Sequence, residues 1–345
     1  MNKISFGKTS WGKETYKYTI ENSNGMKVVV TDMGASVVEI WVKDREGALR
    51  DVALGYDDVQ QYEKEGTYFG AIVGPNANRI AGAMFEMDGV VYQLEANDNE
   101  NNLHSGKKGM ARKVWDVTEH SGSKIVFACV TEEDGFPGVA TCKVTYEVTE
   151  ENELSISYLG NCDKKSPFNM TNHTYFNLNG HNSGTILEHE LMIKASAYTP
   201  VADSKAIPTG EIAKVENTPF DFRTSKPVGR DIEADFDQLK YGQGYDHNFA
   251  IDHETDKVEK IAEVYSPESG IRMEVDTDCV GVQLYTGNFL GGDKGKGEHN
   301  YERRAGLCLE TQYFPNALNE PNFLSPIVEE GHVYTTQTVY RFSVK

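Results

Sequence analysis

Histidine, arginine, amide and carboxylate side chains recur beside aromatics in six short stretches: residues 74–80 (GPNANRI), 101–106 (NNLHSG), 171–177 (TNHTYFN), 244–249 (GYDHNF), 283–289 (QLYTGNF) and 309–315 (LETQYFP). Two of them carry a group that is expensive to bury. Glu310 follows Leu307-Cys308-Leu309 and His173 is followed by Thr174-Tyr175-Phe176, so each must be paired or used. The companion residues suit a sugar, whose flat C–H faces edged by hydroxyls call for planar aromatics and forked donors and acceptors. Arg79 can donate from a rigid fork to two neighbouring hydroxyls, and Asp246 can accept from two. Singly, each residue also has a structural reading: Arg79 as a bridge to a surface carboxylate, Glu310 as a solvent-facing strand residue, His173 as a hydrogen-bonded core or surface histidine.

Other chemistries lack their patterns. Gly7-Lys8-Thr9 has Asn2 where the leading glycine of a phosphate loop would stand, and no strand precedes it. No GxGxxG follows a strand, and neither GxSxG nor HExxH occurs. The sequons at Asn169 and Asn172 have meaning only in a secreted chain. The 345 residues carry 53 acidic and 34 basic side chains, a formal balance of −19, which argues against partners such as nucleic acid or an anionic membrane surface. No run of about 18 apolar residues exists, so no transmembrane helix is expected. The opening MNKISFGKTSW shows no apolar stretch or cleavage site of a secretory signal. Cys129, Cys142, Cys162, Cys279 and Cys308 form no CxxC pair, and we read them as reduced core thiols of a cytoplasmic protein.

Strands must position these residues. Val144, Tyr146 and Val148 alternate with polar neighbours, and beyond Glu150-Glu151-Asn152 the period returns in Leu154, Ile156 and Tyr158, which predicts a hairpin with one wet face. Ile271, Met273 and Val275 repeat the pattern, as do Tyr340, Phe342 and Val344. Asp88-Gly89, between residues 84–87 and 90–94, supplies the positive φ angles of a tight hairpin turn. Helical periodicity is confined to residues 57–65 and 231–240, without a long apolar stripe, so a parallel βαβ sheet is not expected. Residues 291–297 (GGDKGKG) are predicted as a mobile loop between strands. With no linker, repeat or break in composition, residues 1–345 are predicted as a single, all-β, antiparallel domain.

Together these segments resemble the aldose 1-epimerase family, the galactose mutarotases, over nearly the whole chain. ANRI (77–80), NNLHSG, KVWDV (113–117), DGFPG (134–138), TNHTYFNL (171–178), IPTGEI (207–212), YDHNF (245–249), QLYTGNFL (283–290) and CLETQYFPNALN (308–319) occur in the family's order. The resemblance implies a large antiparallel β-sandwich with a sugar cleft across its face and neither cofactor nor metal. It implies His173 as general acid and Glu310 as general base, with Asn78, Arg79, His104, Tyr175, Asp246 and Gln283 holding the sugar. Pro75-Asn76 stand where the family commonly carries a Gly-Arg opening, Ser105 replaces a frequent glycine, and Asn316 a usual aspartate. Beside Arg79 and His104, such departures are expected to shape the rim of the cleft.

The implied reaction interconverts α and β anomers of a free aldohexose such as D-galactose or D-glucose. Ordinary pKa values of about 4.3 for glutamate and about 6.5 for histidine already suit Glu310 as base and His173 as acid, so modest tuning is expected to suffice. Three alternatives remain at this point. A non-catalytic sugar-binding protein would not need His173 and Glu310. An epimerase of a phosphorylated aldose would require cations beyond Arg79. A metal-dependent isomerase would use His104, His173 and His247 as ligands. The expected partner is a small aldose, bound by a monomer or a homodimer.

Overall fold

The computed structural model describes residues 2–64, 66–132, 134–253 and 257–345. Strands that bury alternate side chains build three large sheets, all with antiparallel pairing. The amino-terminal sheet is a five-stranded meander of Asn2–Lys8, Glu14–Glu21, Lys27–Thr31, Val37–Lys43 and Leu49–Asp51. The largest has nine strands in the order Asp116–His120, Lys124–Val130, Ala140–Val148, Glu153–Cys162, Val333–Val344, Ile271–Thr277, Glu259–Tyr265, Glu190–Ile193 and Lys226–Pro227. The third runs Ala213–Lys214, Ala197–Tyr198, Asp246–Ala250, Gly281–Tyr285 and Cys308–Gln312.

The sheets share one core. Tyr146, Ile156, Met273 and Phe342 of the nine-stranded sheet join Val30 and Ile40 of the first and Phe249, Leu284 and Leu309 of the third in a single buried cluster. Two buried hydroxyls tie the layers: Tyr146 donates to the carbonyl of Ala35 at 2.7 Å, and Tyr340 to the carbonyl of Leu309 at 3.1 Å. The second bond fixes the strand that carries Glu310. The expected all-β antiparallel sandwich is therefore the observed fold.

The predicted hairpins form. Val144 pairs with Tyr158 and Tyr146 with Ile156, their apolar side chains buried and Lys143 exposed. Asp88 and Gly89 take φ of 54° and 77° between strands Met84–Met87 and Val90–Gln93. Ile271, Met273, Val275, Tyr340 and Phe342 are buried, but Val344 is 47% exposed because it borders an open groove beside Lys43 and Asn152. The helical stretches shrink to single short elements. Within residues 57–65 only Val59–Tyr62 is helical, its end capped by the Asp58 carboxylate, which accepts the Gln60 amide at 2.6 Å; Glu65 lies outside the described residues. Within residues 231–240 a helix begins only at Asp237 and runs to Gly242. All five cysteines are buried and unpaired, and no helix among the described residues is long and apolar enough to cross a membrane.

Residues 291–297 depart from the expected mobile loop. Asp293–Lys294 pairs with Asn300–Tyr301, and Lys296 is buried, its ammonium donating to the carbonyls of Val38 and Ala53 and to the Asp51 carboxylate. Gly295 allows this close approach, since a Cβ there would meet the Tyr301 ring at 2.0 Å. Glycine-rich composition marks the turns but not what the lysine among them reaches. Replacing Lys296 by Met leaves Asp51 as an uncompensated buried charge, which is expected to destabilise the fold by about 3–5 kcal/mol. Urea unfolding measures this; an unchanged midpoint would show that Lys296 does not anchor the loop.

Candidate active site

Strand alternation and register assemble one wall. Gln283 lies opposite both Asn248 and Glu310 on the flanking strands, and Tyr285 opposite both Asp246 and Cys308. Residues two apart share a face, so Asp246, Gln283, Tyr285, Cys308 and Glu310 project together while Phe249, Leu284 and Leu309 enter the core. His247 falls on the core side. Its Nδ1 accepts the Asp246 amide at 3.2 Å, its Nε2 lies 3.1 Å from Gln238 Oε1, and its ring meets the edge of Phe220 at 4.7 Å. It cannot join His104 and His173, which corrects the three-histidine metal set.

Loops joined by two-residue strand pairs supply the opposite wall. Thr171–Asn172 pairs with Ile72–Val73, and His173 extends this by donating its amide to Ala71 and accepting that of Gly70. Arg79–Ile80 pairs with Asn102–Leu103, and the His104 amide then bonds the Asn78 carbonyl at 3.0 Å. In return the Asn78 amide donates to His104 Nδ1 at 3.2 Å, which assigns the ring proton to Nε2. Tyr68, Asn78, His104 and Ser105 have φ of 52°, 61°, 53° and 64°, left-handed values held by these bonds and the surrounding packing.

Between the walls is a cavity of about 140 Å³ lined by seven of the eight candidate residues: Asn78, Arg79, His104, His173, Tyr175, Asp246 and Glu310. Gln283 lies just behind, donating from Nε2 to Asp246 Oδ1 at 2.7 Å. Tyr68 and Leu103, with Gly66, also wall an adjoining groove of about 470 Å³. His173 Nε2 and Glu310 Oε1 are 3.7 Å apart, and Glu310 Oε2 has no hydrogen-bond partner among the described residues. The Tyr175 and Tyr68 rings lie nearly parallel to the imidazole at 5.1 and 5.9 Å. Arg79 combines its two sequence readings: Nε donates to Asp98 at 2.7 Å, while the arginine also lines the cavity.

Burial tunes the titratable pair more strongly than the sequence suggests. Desolvation lowers His173 to about 4. Desolvation raises Glu310 well above the ordinary carboxylate range, reinforced by Asp246 and opposed by Arg79. Each group is pushed toward its neutral form, so burial disfavours a charge on either member of the pair. His104 is lowered by burial and by the charges of His173, Arg79 and Arg112. His104, His173 and Glu310 offer donor atoms within 4.8 Å of one another. The Nε2 proton of His104 makes its free edge a hydrogen-bond donor, so the set suits an oxygen-bearing ligand better than a cation.

The three family departures sit behind the cavity and not on its rim. Ser105 Oγ accepts the Asn76 amide and donates to the Asn76 carbonyl, both at 2.9 Å. Asn316 donates its amide to the Arg79 carbonyl and accepts the Ala81 amide at 2.8 and 2.9 Å. Sequence reasoning missed Tyr68, Asp98 and the exposed Phe289. For Phe289 the signal was present inside QLYTGNFL; Tyr68 and Asp98 belong to turns without a periodic pattern.

A sequence profile described as aldose 1-epimerase matches residues 16–341. The chain is 39% identical to the galactose mutarotase of Bos taurus, covering 100% of this chain and 99% of that one. It is 34% identical to the aldose 1-epimerase of Escherichia coli K12, over 94% of each. Among solved structures, the GalM/aldose epimerase homologue from C. elegans superposes with a TM-score of 0.88 at 30% identity, covering 96% of this chain and 99% of that one. Galactose 1-epimerase from Lactobacillus acidophilus gives 0.86 at 25%, covering 99% and 98%. In an assay of aldose anomer exchange, Asp98→Ala is expected to release Arg79 and raise KM about tenfold with a much smaller change in kcat. A KM equal to that of the unaltered protein would show that Arg79 needs no anchor.

Proposed function

The chain belongs to the aldose 1-epimerase family, and we propose that it interconverts the α and β anomers of a free aldohexose, D-galactose or D-glucose, with Glu310 as base and His173 as acid. The observation that carries this reading is the imidazole and carboxyl facing each other at 3.7 Å in one cavity. Ring opening moves two protons: Glu310 takes the one on the C1 hydroxyl while His173 gives one to the ring oxygen as its bond to C1 breaks. Rotation about C1–C2 turns the aldehyde over. On closure His173 recovers its proton from the attacking oxygen and Glu310 returns one to O1. No proton is consumed, so a pair holding a single proton is sufficient. Its working form places that proton on His173, a shift favoured when the C1 hydroxyl donates to Glu310 and Arg79 supports the carboxylate.

The anomers are nearly equal in free energy and differ only at C1, so the sugar must be gripped elsewhere. In this reading Arg79 and Asp246 hold hydroxyls remote from C1, and Gln283 steadies the Asp246 carboxylate from behind. His104 donates from Nε2 nearer the reacting end, Asn78 orients His104 through its amide, and Tyr175 supports the imidazole.

Polarimetry of freshly dissolved α-D-galactose and α-D-glucose tests the assignment. Glu310→Gln and His173→Asn are each expected to lose roughly 10²–10⁴-fold in kcat; either variant keeping its full rate would refute it. The pH dependence follows from the one-proton state. Below about pH 4 a second proton occupies the base, and above the raised pKa of Glu310 the last proton leaves the acid. A bell-shaped kcat/KM is therefore expected, whose limbs belong to the pair. A profile flat from pH 3 to 10, after subtracting the spontaneous rate, would contradict it.

A further inference from the structure

His173 is approached at its second ring nitrogen by a thiol: Cys308 Sγ lies 3.5 Å from Nδ1. Cys308 and Glu310 are two residues apart on one extended strand and project from the same face. Two strand residues span roughly 6.5–7 Å, enough to place sulfur and carboxylate at the two nitrogens of one imidazole. We propose that Cys308 is a positioning residue for His173, its sulfur accepting the Nδ1–H bond and leaving Nε2 to exchange the reacting proton. This rests on the reading of His173 as the acid.

In that cycle His173 alternates between an imidazolium and a neutral ring that has given up its Nε2 proton. Nδ1 keeps its hydrogen in both, so the partner there must accept. Cys308 is fully buried, and desolvation together with Glu310 and Asp246 raises its pKa, which keeps the group a neutral thiol. A neutral sulfur is a weak acceptor. A carboxylate in its place would stabilise the imidazolium and blunt its acidity, whereas the ring oxygen of a sugar is a weak base that needs a strong acid. The thiol therefore fixes the ring's orientation without quenching its proton.

The test compares Cys308→Ala and Cys308→Ser by polarimetry across pH. Cys308→Ala is expected to lower kcat about tenfold with KM within about twofold, since one hydrogen bond is lost, and to move the acid limb to lower pH. Serine is a stronger acceptor, so Cys308→Ser is expected to keep most of kcat and move that limb to higher pH. A merely structural cysteine would not displace the limb in opposite directions. Should Cys308→Ala fail to fold, the direction of the limb in Cys308→Ser decides alone. ¹⁵N NMR of His173 in the neutral ring is expected to show the proton on Nδ1. A proton on Nε2, or limbs that stay in place in both variants, would overturn the proposal. If these fail while His173→Asn is inactive, only the role of Cys308 falls; if His173→Asn is active, the assignment of the acid falls first.

Discussion

An imidazole and a carboxyl are enclosed 3.7 Å apart, and the rest of the structure serves that confinement. In water each would titrate independently near its ordinary value. Enclosed, neither carries charge without help: burial lowers the imidazole and raises the carboxyl, and their closeness makes the pair one coupled unit. Such a unit tolerates little movement. The Glu310 strand is accordingly held by its ladder to Gly281–Tyr285 on one side and by the Tyr340 hydroxyl, through the Leu309 carbonyl, from the core. His173 is held from the other wall by backbone bonds to Gly70 and Ala71.

Much of this was legible in the sequence, because period-two alternation is a statement about faces. It identified the hairpins, the Asp88-Gly89 turn and the absence of parallel architecture. Chemical type placed His173, Glu310, Asp246 and Arg79 in one constellation before any partner strand was known. Alternation along one strand does not tell which face meets the core. Composition alone offers His247 as a metal ligand, although its neighbour Asp246 already claims the cavity side of the same strand. Partners across the cavity were equally hidden: nothing in the order of residues places Cys308 against His173 or Asp98 against Arg79. Ordinary pKa values assume water, so the direction in which burial moves His173 and Glu310 is visible only from the enclosure.

The wall that supplies Tyr68, Asn78 and His104 is built differently. Left-handed φ at non-glycine residues is unfavourable by about 1–2 kcal/mol each, so these loops persist only because local bonds over-determine them. Ser105 illustrates the trade. Glycine would adopt its φ of 64° freely, but serine returns two hydrogen bonds to Asn76 and thereby locks the turn that presents His104. The departures from the family pattern are in this sense compensated within the scaffold, and they leave the cavity lining untouched.

In the proposed reading, the distribution of hydrogen bonds separates gripping from reacting. Arg79 and Asp246 each have a protein partner, Asp98 and Gln283, that fixes one side of the group and leaves its remaining capacity toward the cavity. Groups immobilised in advance lose little freedom when a ligand binds, which favours affinity and orientation. Glu310 is treated oppositely. Its Oε2 has no partner among the described residues, and its Oε1 lies beyond hydrogen-bond distance of His173. A buried carboxyl left this way is unfavourable until something supplies a hydroxyl. In the proposed reading, the carboxyl that meets the reacting carbon keeps an open oxygen while Arg79 and Asp246 are anchored, a division that suits inversion at one carbon of an otherwise stationary ring.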